Sequence, residues 1–264
     1  MKAVIFATLK QRRWSILGWS IGIFGLIFIN MIFYPSFKDQ AADLEKTFAN
    51  LPEAAVQLFG GSTDFFSPIG FLNSQIFFLM QPMLLSILSI SLGSSLVGVE
   101  EKDNTIEAIL ARPISRARFL GAKALSGMGI LLIVTLAGAL TTLITGRIVG
   151  LTVGVWPIIL ANIACYLLVL SVGAIAFALA ATGKARSASL GIGATIALGG
   201  YLISSLAGTV SWLKAPSKLF PFHYYQTESI LSGISNYKNF MFFIVVIVIC
   251  AVVSLVSFRR RDLN

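Results

Sequence analysis

Six long stretches of this chain contain no Asp, Glu, Lys or Arg. A helix that crosses the hydrocarbon core of a bilayer needs about 20 predominantly apolar residues. The stretches cover residues 14–37, 65–99, 124–146, 148–183, 187–213 and 239–258. Each is long enough for one such helix, and none can hold two helices and a turn. The sequence therefore predicts six membrane spans, at about 14–34, 74–97, 124–145, 156–181, 188–210 and 240–258.

The composition excludes the other broad classes of protein. The chain has 264 residues, of which 56% are hydrophobic and only 12% are charged, whereas soluble domains carry about 25% charged residues. The high hydrophobic content excludes a disordered chain. Runs such as Ile130–Val134 are apolar on every face rather than alternating, which argues against a transmembrane barrel. We expect an all-α membrane protein with a single transmembrane domain over residues 1–264.

The distribution of basic residues predicts the orientation of the chain. Six spans place both termini on one side, and 14 of the 20 Lys and Arg residues fall on that side. Because these residues accumulate in cytoplasmic loops, we expect a multi-pass plasma-membrane protein with both termini in the cytoplasm. Part of this charge would meet anionic lipid headgroups. No nucleic-acid partner is expected, because the basic residues are spread over four segments rather than one groove.

Two flanking segments have helical patterns. Residues 1–13 carry apolar side chains such as Phe6 and Leu9 among basic ones, which predicts an interfacial helix. The alternative is a plain positive flank that sets topology. Residues 35–73 form an extracytoplasmic loop in which 52–59, followed by two glycines, predict a short helix. This helical loop either caps the outer mouth of the protein or merely connects two spans.

The loop between the second and third spans, residues 99–123, contains a pattern of helix signals. Asn104 followed by Glu107 resembles a capping box, and Leu110 lies on the apolar face of the short helix that would follow. Pro113 would end this helix, and Ser115 would cap the next one. A short helix with an apolar ridge can dock into a groove on a soluble partner. A solvated charged loop is the alternative, and the pattern does not separate the two.

At this loop the chain resembles the membrane permeases of type-2 ABC exporters. The family motif has an acidic residue after the second span, a Thr, a Glu, an Ala-x-Pro-x-Ser-Arg turn and a Lys at the head of the third span. The matching residues are Glu100, Glu101, Thr105, Glu107, Ala111, Pro113, Ser115, Arg116 and Lys123. The resemblance extends to the six spans, to the basic start, to Ser67–Leu72 and to Pro221–Tyr225 before the last span.

The resemblance implies a function and a set of partners. In the family this loop is the coupling helix that contacts the ATP-hydrolysing subunit, and Leu110 would share that contact with the residues of the motif. The implied assembly has two ABC ATPase subunits, a second permease (as a homo- or heterodimer), and ATP with Mg in the ATPases. The stretch before the last span would form an outer gate, built from Pro221, Phe222, His223, Tyr224 and Tyr225.

The sequence offers no catalytic centre, metal site or cofactor site of its own. Gly183-Lys184 is followed by Ala185 rather than the Ser or Thr of a phosphate-binding loop. His223 is the only histidine, and Cys165 and Cys250 fall inside predicted spans without metal-ligand spacing. We therefore expect the chain not to be an enzyme, and we expect ATP hydrolysis to take place in a separate subunit.

The spans lack charge at their centres, which bears on the substrate. Ion-coupled carriers usually hold charged residues at mid-depth, so the pattern favours an outside energy source and a hydrophobic or amphipathic substrate such as a lipid, a drug or a peptide. The resemblance implies that the energy comes from ATP and that the substrate is exported. Two other functions stay open. One is a membrane-bound immunity or sensor protein that binds a toxin without transport. The other, less favoured, is an intramembrane enzyme, for which no nucleophile with a base is evident.

Three kinds of residue predict the packing of the spans. Pro82 predicts a kink in the second span, which could be a moving part or static. Polar residues such as Gln81, Thr135 and Asn162 would bond between helices. Small residues mark close helix contacts, either within one chain or across a dimer. The small residues are Gly18 and Gly22 in the first span and Gly191, Gly193, Ala197, Gly199 and Gly200 in the fifth.

The predicted orientation can be tested by labelling. In a background without Cys165 and Cys250, Ser62→Cys should react with an impermeant thiol reagent in intact cells, whereas Ser115→Cys should react only after the membrane is opened. The reason is the excess of basic residues on the side of the termini. Labelling at Ser115 together with protection at Ser62 would reverse the orientation.

Overall fold

The structure is a computed structural model that describes residues 1–40, 52–58, 60, 65, 67–102, 115–234 and 236–260, with the backbone alone for 98–102. All secondary structure in these residues is helical. The α-helices are α1 (Lys2–Gln11), α2 (Arg13–Ile32), α3 (Tyr34–Asp39), α4 (Glu53–Leu58), α5 (Pro68–Leu72), α6 (Met80–Lys102), α7 (Arg116–Ile148), α8 (Val155–Ala181), α9 (Arg186–Leu206), α10 (Lys214–Ser217), α11 (Thr227–Leu231) and α12 (Tyr237–Arg260). A π-helix covers Asn73–Phe77, and 3-10 helices cover Ser211–Leu213 and Pro221–Tyr224.

Six helical segments are long and apolar enough to cross a membrane. Five of them contain a predicted span in full, and the fifth segment ends at Leu206, four residues before the predicted end at 210. The predicted fold class of an all-α chain with six spans is confirmed. The segments are Arg13–Asp39, Pro68–Val97, Arg116–Ile148, Val155–Ala181, Arg186–Leu206 and Tyr237–Arg260. Because α7 has 33 residues, it is about 50 Å long and exceeds the ~30 Å hydrocarbon core.

The second and fourth spans form the centre of the bundle. In their most apolar windows, 61% and 67% of the residues are buried, against 17% in the first span and 11% in the last. The exposed residues of α2 and α12 are large apolar side chains such as Ile21, Phe24, Val248 and Val252. Helices α6 and α8 therefore make the core, and the first and last spans present apolar surface outwards.

Glycines allow the two central helices to touch through their backbones. A Cβ added at Gly93 of α6 would meet the carbonyl oxygen of Gly173 and would lie 2.9 Å from the backbone nitrogen of Phe177 in α8. A Cβ at Gly173 would meet the hydroxyl of Ser89 and would lie 2.9 Å from its carbonyl oxygen. Real Cβ contacts are not this short, so only glycine fits at both positions. This is the small-residue packing that membrane helices use.

The predicted small residues divide into two groups. A Cβ added at Gly193 would lie 2.9 Å from the Ile90 side chain of α6, and one added at Gly200 would lie 3.0 Å from the Phe220 ring. Ala197 is buried, so this part of the stripe makes contacts within the chain. The other predicted glycines meet no described atom within 4 Å of a built Cβ, and they are Gly18, Gly22, Gly191 and Gly199. The small-residue pattern therefore identifies one contact face inside the chain, and its other glycines lie at positions without a close neighbour among the described residues.

The second span is irregular near its N-terminal end. Helix α5 begins at Pro68 and is capped by Ser67, whose hydroxyl accepts a hydrogen bond from the Gly70 amide at 2.9 Å. The π-helix Asn73–Phe77 follows, and α6 starts at Met80. Pro82 has no N–H to donate to the carbonyl of Phe78, and its ring disfavours a regular helix at that point. The irregularity thus lies upstream of Pro82, within residues 73–79.

Polar side chains inside the bundle are satisfied mostly by their own helices. Gln81 Nε2 donates to Asn162 Oδ1 at 2.9 Å and joins α6 to α8 as predicted. The threonines behave differently from the prediction, because each donates to the carbonyl four residues earlier in its own helix. These are Thr135, Thr141, Thr142 and Thr145. Such a bond satisfies the hydroxyl without a partner on a second helix.

The N-terminal segment is helical and packs on the third span. In α1 the Thr8 side chain is buried, and the Arg12 guanidinium at its end donates to the Ser95 hydroxyl of α6 at 2.7 Å. Phe6, in contrast, is 72% exposed. The helix has one packed face and one apolar exposed side chain, and its location in the membrane interface stays a prediction.

The glycine contact between α6 and α8 predicts a strong sensitivity to side-chain size. Gly173→Ala should destabilise the protein by about 1–3 kcal/mol, because the added methyl overpacks the contact with Ser89. The matched control is Gly129→Ala in α7, where nothing lies within 4 Å, and its effect should stay within about 0.5 kcal/mol. Thermal melting of the detergent-purified variants measures both. Equal melting temperatures for the two variants would contradict the tight contact.

Candidate functional site

The predicted coupling loop lies between the end of α6 and the start of α7. Ser115 caps α7 by accepting a hydrogen bond from the Arg118 amide at 3.4 Å, which confirms the predicted cap. Thr105, Glu107, Leu110 and Pro113 lie outside the described residues, as do the side chains of Glu100 and Glu101. Their contact with an ATPase stays a prediction.

Two basic residues of the predicted contact lie in the described part of α7. Arg116 is half-buried in the first turn. Lys123 is buried, with its ammonium 5.7 Å from the centre of the Phe119 ring. That ring stacks on Phe258 of α12 at 6.4 Å. The structure therefore places Lys123 within the packing near the base of α7, not on an open surface.

The predicted outer gate folds inwards against the bundle. Its residues form the 3-10 helix Pro221–Tyr224 followed by Tyr225. Pro221, Phe222 and Tyr225 are buried, whereas His223 and Tyr224 are half-buried. Phe222 contacts the ring of Tyr225 and the ring of Tyr201 on α9, with ring centres 6.4 and 6.0 Å apart. These aromatic residues are thus part of the protein core rather than a belt facing lipid.

Two hydrogen bonds tie this segment to the start of the second span. The Tyr225 hydroxyl donates to the Phe77 carbonyl of the π-helix at 2.8 Å. The Thr227 hydroxyl donates to Asn73 Oδ1 at 2.6 Å, and both groups are buried. Nearby, the Tyr201 hydroxyl of α9 donates to the Leu58 carbonyl of α4 at 2.6 Å. The irregular start of the second span is therefore held by side chains from a sequence-distant segment.

The single histidine shares a hydroxyl with the preceding helix. The Ser217 hydroxyl lies 3.0 Å from the Lys214 carbonyl oxygen and 3.1 Å from His223 Nδ1. The hydrogen bond between Ser217 and Nδ1 fixes the position of the ring. Burial lowers the pKa of His223 below its ordinary 6.5, and the nearby Lys218 ammonium lowers that pKa further.

A polar cavity of about 580 Å³ lies beside this segment. Its wall combines basic, hydroxyl, amide and aromatic groups from α9, α10, α11 and the π-helix. The wall includes Asn73, Phe78, Tyr201, Ser204, Lys214, Lys218, Phe222, His223, Thr227 and Glu228. Cavities of roughly 300–1,000 Å³ are typical of sites for organic ligands.

A second cavity, of about 160 Å³, lies within the other half of the spans, towards the chain termini. Helices α6, α7, α8 and α12 line it almost entirely with apolar groups. Much of its wall consists of small residues, namely Gly93, Gly121, Ala124, Gly127, Gly173, Ala174 and Ala251. The glycines that bring α6 and α8 together thus also form part of this apolar space.

The six apolar spans, the charge-poor interior and the two cavities define a multi-pass membrane protein of the transporter type. A family model described as "ABC-2 family transporter protein" matches residues 8–263. The chain therefore belongs to the ABC-2 transporter family, and it is a membrane permease. No curated protein and no solved structure matches the chain significantly.

Sequence reasoning found only part of the wall of the polar cavity. Phe222, His223 and Tyr225 of the predicted outer gate line it, whereas Asn73, Tyr201 and Thr227 were missed. The Asn73–Thr227 pair joins residues 154 positions apart in the chain, and a single sequence contains no local signal for such a pair. A further available signal was the pair of lysines four residues apart, Lys214 and Lys218, in a segment otherwise rich in aromatic residues.

The environment of His223 predicts its titration. Its ring should take up a proton only below pH 6.5, and Lys218→Gln should raise its pKa by removing the second cause of the shift. In the unfolded chain the ring has a pKa near 6.5. As the pH falls below that value, the unfolded state binds the proton first, so the free energy of unfolding should fall. The decrease should stop once the ring is protonated in the folded state too. NMR of protein labelled at its single histidine measures the pKa directly. A pKa at or above 6.5 would contradict the buried, cation-facing environment.

Proposed function

We propose that the chain is the permease subunit of an ATP-driven exporter that moves a hydrophobic or amphipathic molecule out across the plasma membrane. The observation that carries this proposal is the apolar cavity between α6, α7, α8 and α12. Charged residues of the six spans lie only near the ends of the helices. A pathway of this kind suits a lipid, a hydrophobic drug or an amphipathic peptide, because an ion there would lose its hydration without paired charges.

The energy would come from partner subunits. Membership of the ABC-2 transporter family implies partnership with an ABC ATPase, and we propose two ATPase copies that bind ATP and Mg, together with a second permease. The coupling loop would be the cytoplasmic contact. Its described neighbours support this arrangement, since α6 leads into the loop and the capped α7 leads out of it.

The basic residues on the side of the termini orient the proposed pathway, and the resemblance to exporters supports its outward direction. If that side is cytoplasmic, the apolar cavity lies in the inner half of the membrane and the polar cavity lies at the outer end. A substrate would enter from the cytoplasm or inner leaflet and leave beside the aromatic segment 220–225. Membership of a transporter family favours this reading over a toxin-binding immunity protein and over an intramembrane enzyme.

Reconstitution with an ATPase identified by co-purification tests the proposal. Leu110→Asp should weaken the complex about thirtyfold or more, because loss of an apolar anchor from an interface costs about 2 kcal/mol. The matched control is Leu219→Asp, at an exposed leucine in the loop after α10 at the other end of the spans. It should leave ATPase binding unchanged. Wild-type complex yield for Leu110→Asp would contradict the docking contact.

The same reconstituted complex tests the substrate class. ATPase activity should rise with amphipathic compounds and should not respond to small inorganic ions. Stimulation by an inorganic ion alone, with no response to any amphipathic compound, would overturn the proposed substrate class.

A further inference from the structure

Two lysines line the polar cavity. Lys214 belongs to α10, and Lys218 follows that helix with helical backbone angles, so the two residues are four apart on one helical face. Side chains at this spacing are neighbours, and both of these are exposed. Among the described residues, the wall holds one carboxylate, that of Glu228, against these two ammonium groups. The described part of the wall therefore carries more positive than negative charge.

The neutral part of the wall offers hydrogen bonds and aromatic surface. The wall includes the hydroxyl-bearing residues Ser204, Ser205 and Ser229, together with Gln226. Groups of these kinds can donate hydrogen bonds to a bound molecule. Phe78 and Phe222 add apolar surface and lie on either side of Tyr201, with ring centres 5.7 and 6.0 Å from its ring.

These groups together define the chemistry of a ligand. We propose that the polar cavity binds an anionic amphiphile, with a phosphate or carboxylate group beside Lys214 and Lys218 and an apolar portion against Phe78 and Phe222. The volume of about 580 Å³ fits an organic head with part of a chain rather than a bare ion. This inference rests on the proposed function, because the amphiphile bound in the polar cavity would be the exported substrate before its release.

Direct binding to the full chain, without any ATPase, tests the site. The permease is placed in nanodiscs of phosphatidylcholine and titrated with dodecyl phosphate, and the resonance of the single histidine, His223, reports occupancy. Dodecanol, which has the same chain without charge, and inorganic phosphate, which has charge without a chain, should each bind at least about tenfold more weakly. Dodecanol binding as tightly as dodecyl phosphate would overturn the proposal.

Two lysine variants test the role of charge. Lys218→Gln should weaken dodecyl phosphate binding about tenfold, whereas Lys238→Gln, at an exposed lysine at the start of α12 that does not line the cavity, should leave it unchanged. Equal affinities for the two lysine variants would refute the site.

Two sources of the amphiphile can be told apart in the same assay. Phosphatidylglycerol in the nanodisc should compete with dodecyl phosphate if a bilayer lipid is the native occupant. Unchanged affinity would support the same site with a soluble amphiphile as its occupant. Because no transport is measured, binding without amphiphile-stimulated ATPase activity would count against the proposed function and not against the site.

Discussion

The direct contact between the backbones of α6 and α8 is the interaction on which the rest of the molecule depends. In a bilayer the hydrophobic effect does not drive helices together, so association relies on close packing and on hydrogen bonds between helices. Gly93 and Gly173 supply the close packing, and Gln81 with Asn162 supplies a hydrogen bond between the same two helices. Helices α7 and α9 approach α6 in a similar way, through Gly127 beside Leu96 and Gly193 beside Ile90. The second span is thus the axis around which the third, fourth and fifth spans are arranged.

The second span departs from regular α-helix geometry near its N-terminal end. Within a membrane protein, irregular backbone is tolerated where protein groups satisfy its polar atoms. The π-helix Asn73–Phe77 meets this condition, because Tyr225 donates to the Phe77 carbonyl and Thr227 donates to the Asn73 side chain. Such π-helical turns occur often at functional sites. Here the bonds fix the segment 220–227 against the second span and thereby shape the polar cavity between them.

The features that the sequence predicts well are those set by neighbouring residues. The six spans follow from uninterrupted apolar composition. The Ser115 cap and the short helix before Gly60, whose φ is +116°, follow from local backbone chemistry. The glycine contacts were predictable only in part, because Gly193 and Gly18 look alike in sequence although only Gly193 meets a neighbour within the described chain. The assembly of the polar cavity was not predictable from the sequence, since Asn73, Tyr201 and Thr227 come together only through the tertiary fold.

The two cavities occupy opposite ends of the same central span. Gly93 and Leu96 of α6 line the apolar cavity, while Phe78, just before α6, and Asn73 of the π-helix line the polar cavity. A shift of α6 along its axis would displace the residues that line the apolar cavity and, through the adjoining segment 73–79, those that line the polar cavity. The end of α6 that leads into the predicted coupling loop is on the side of the apolar cavity. A partner subunit bound at that loop, as proposed above, would therefore act on the apolar cavity first and on the polar cavity through the second span.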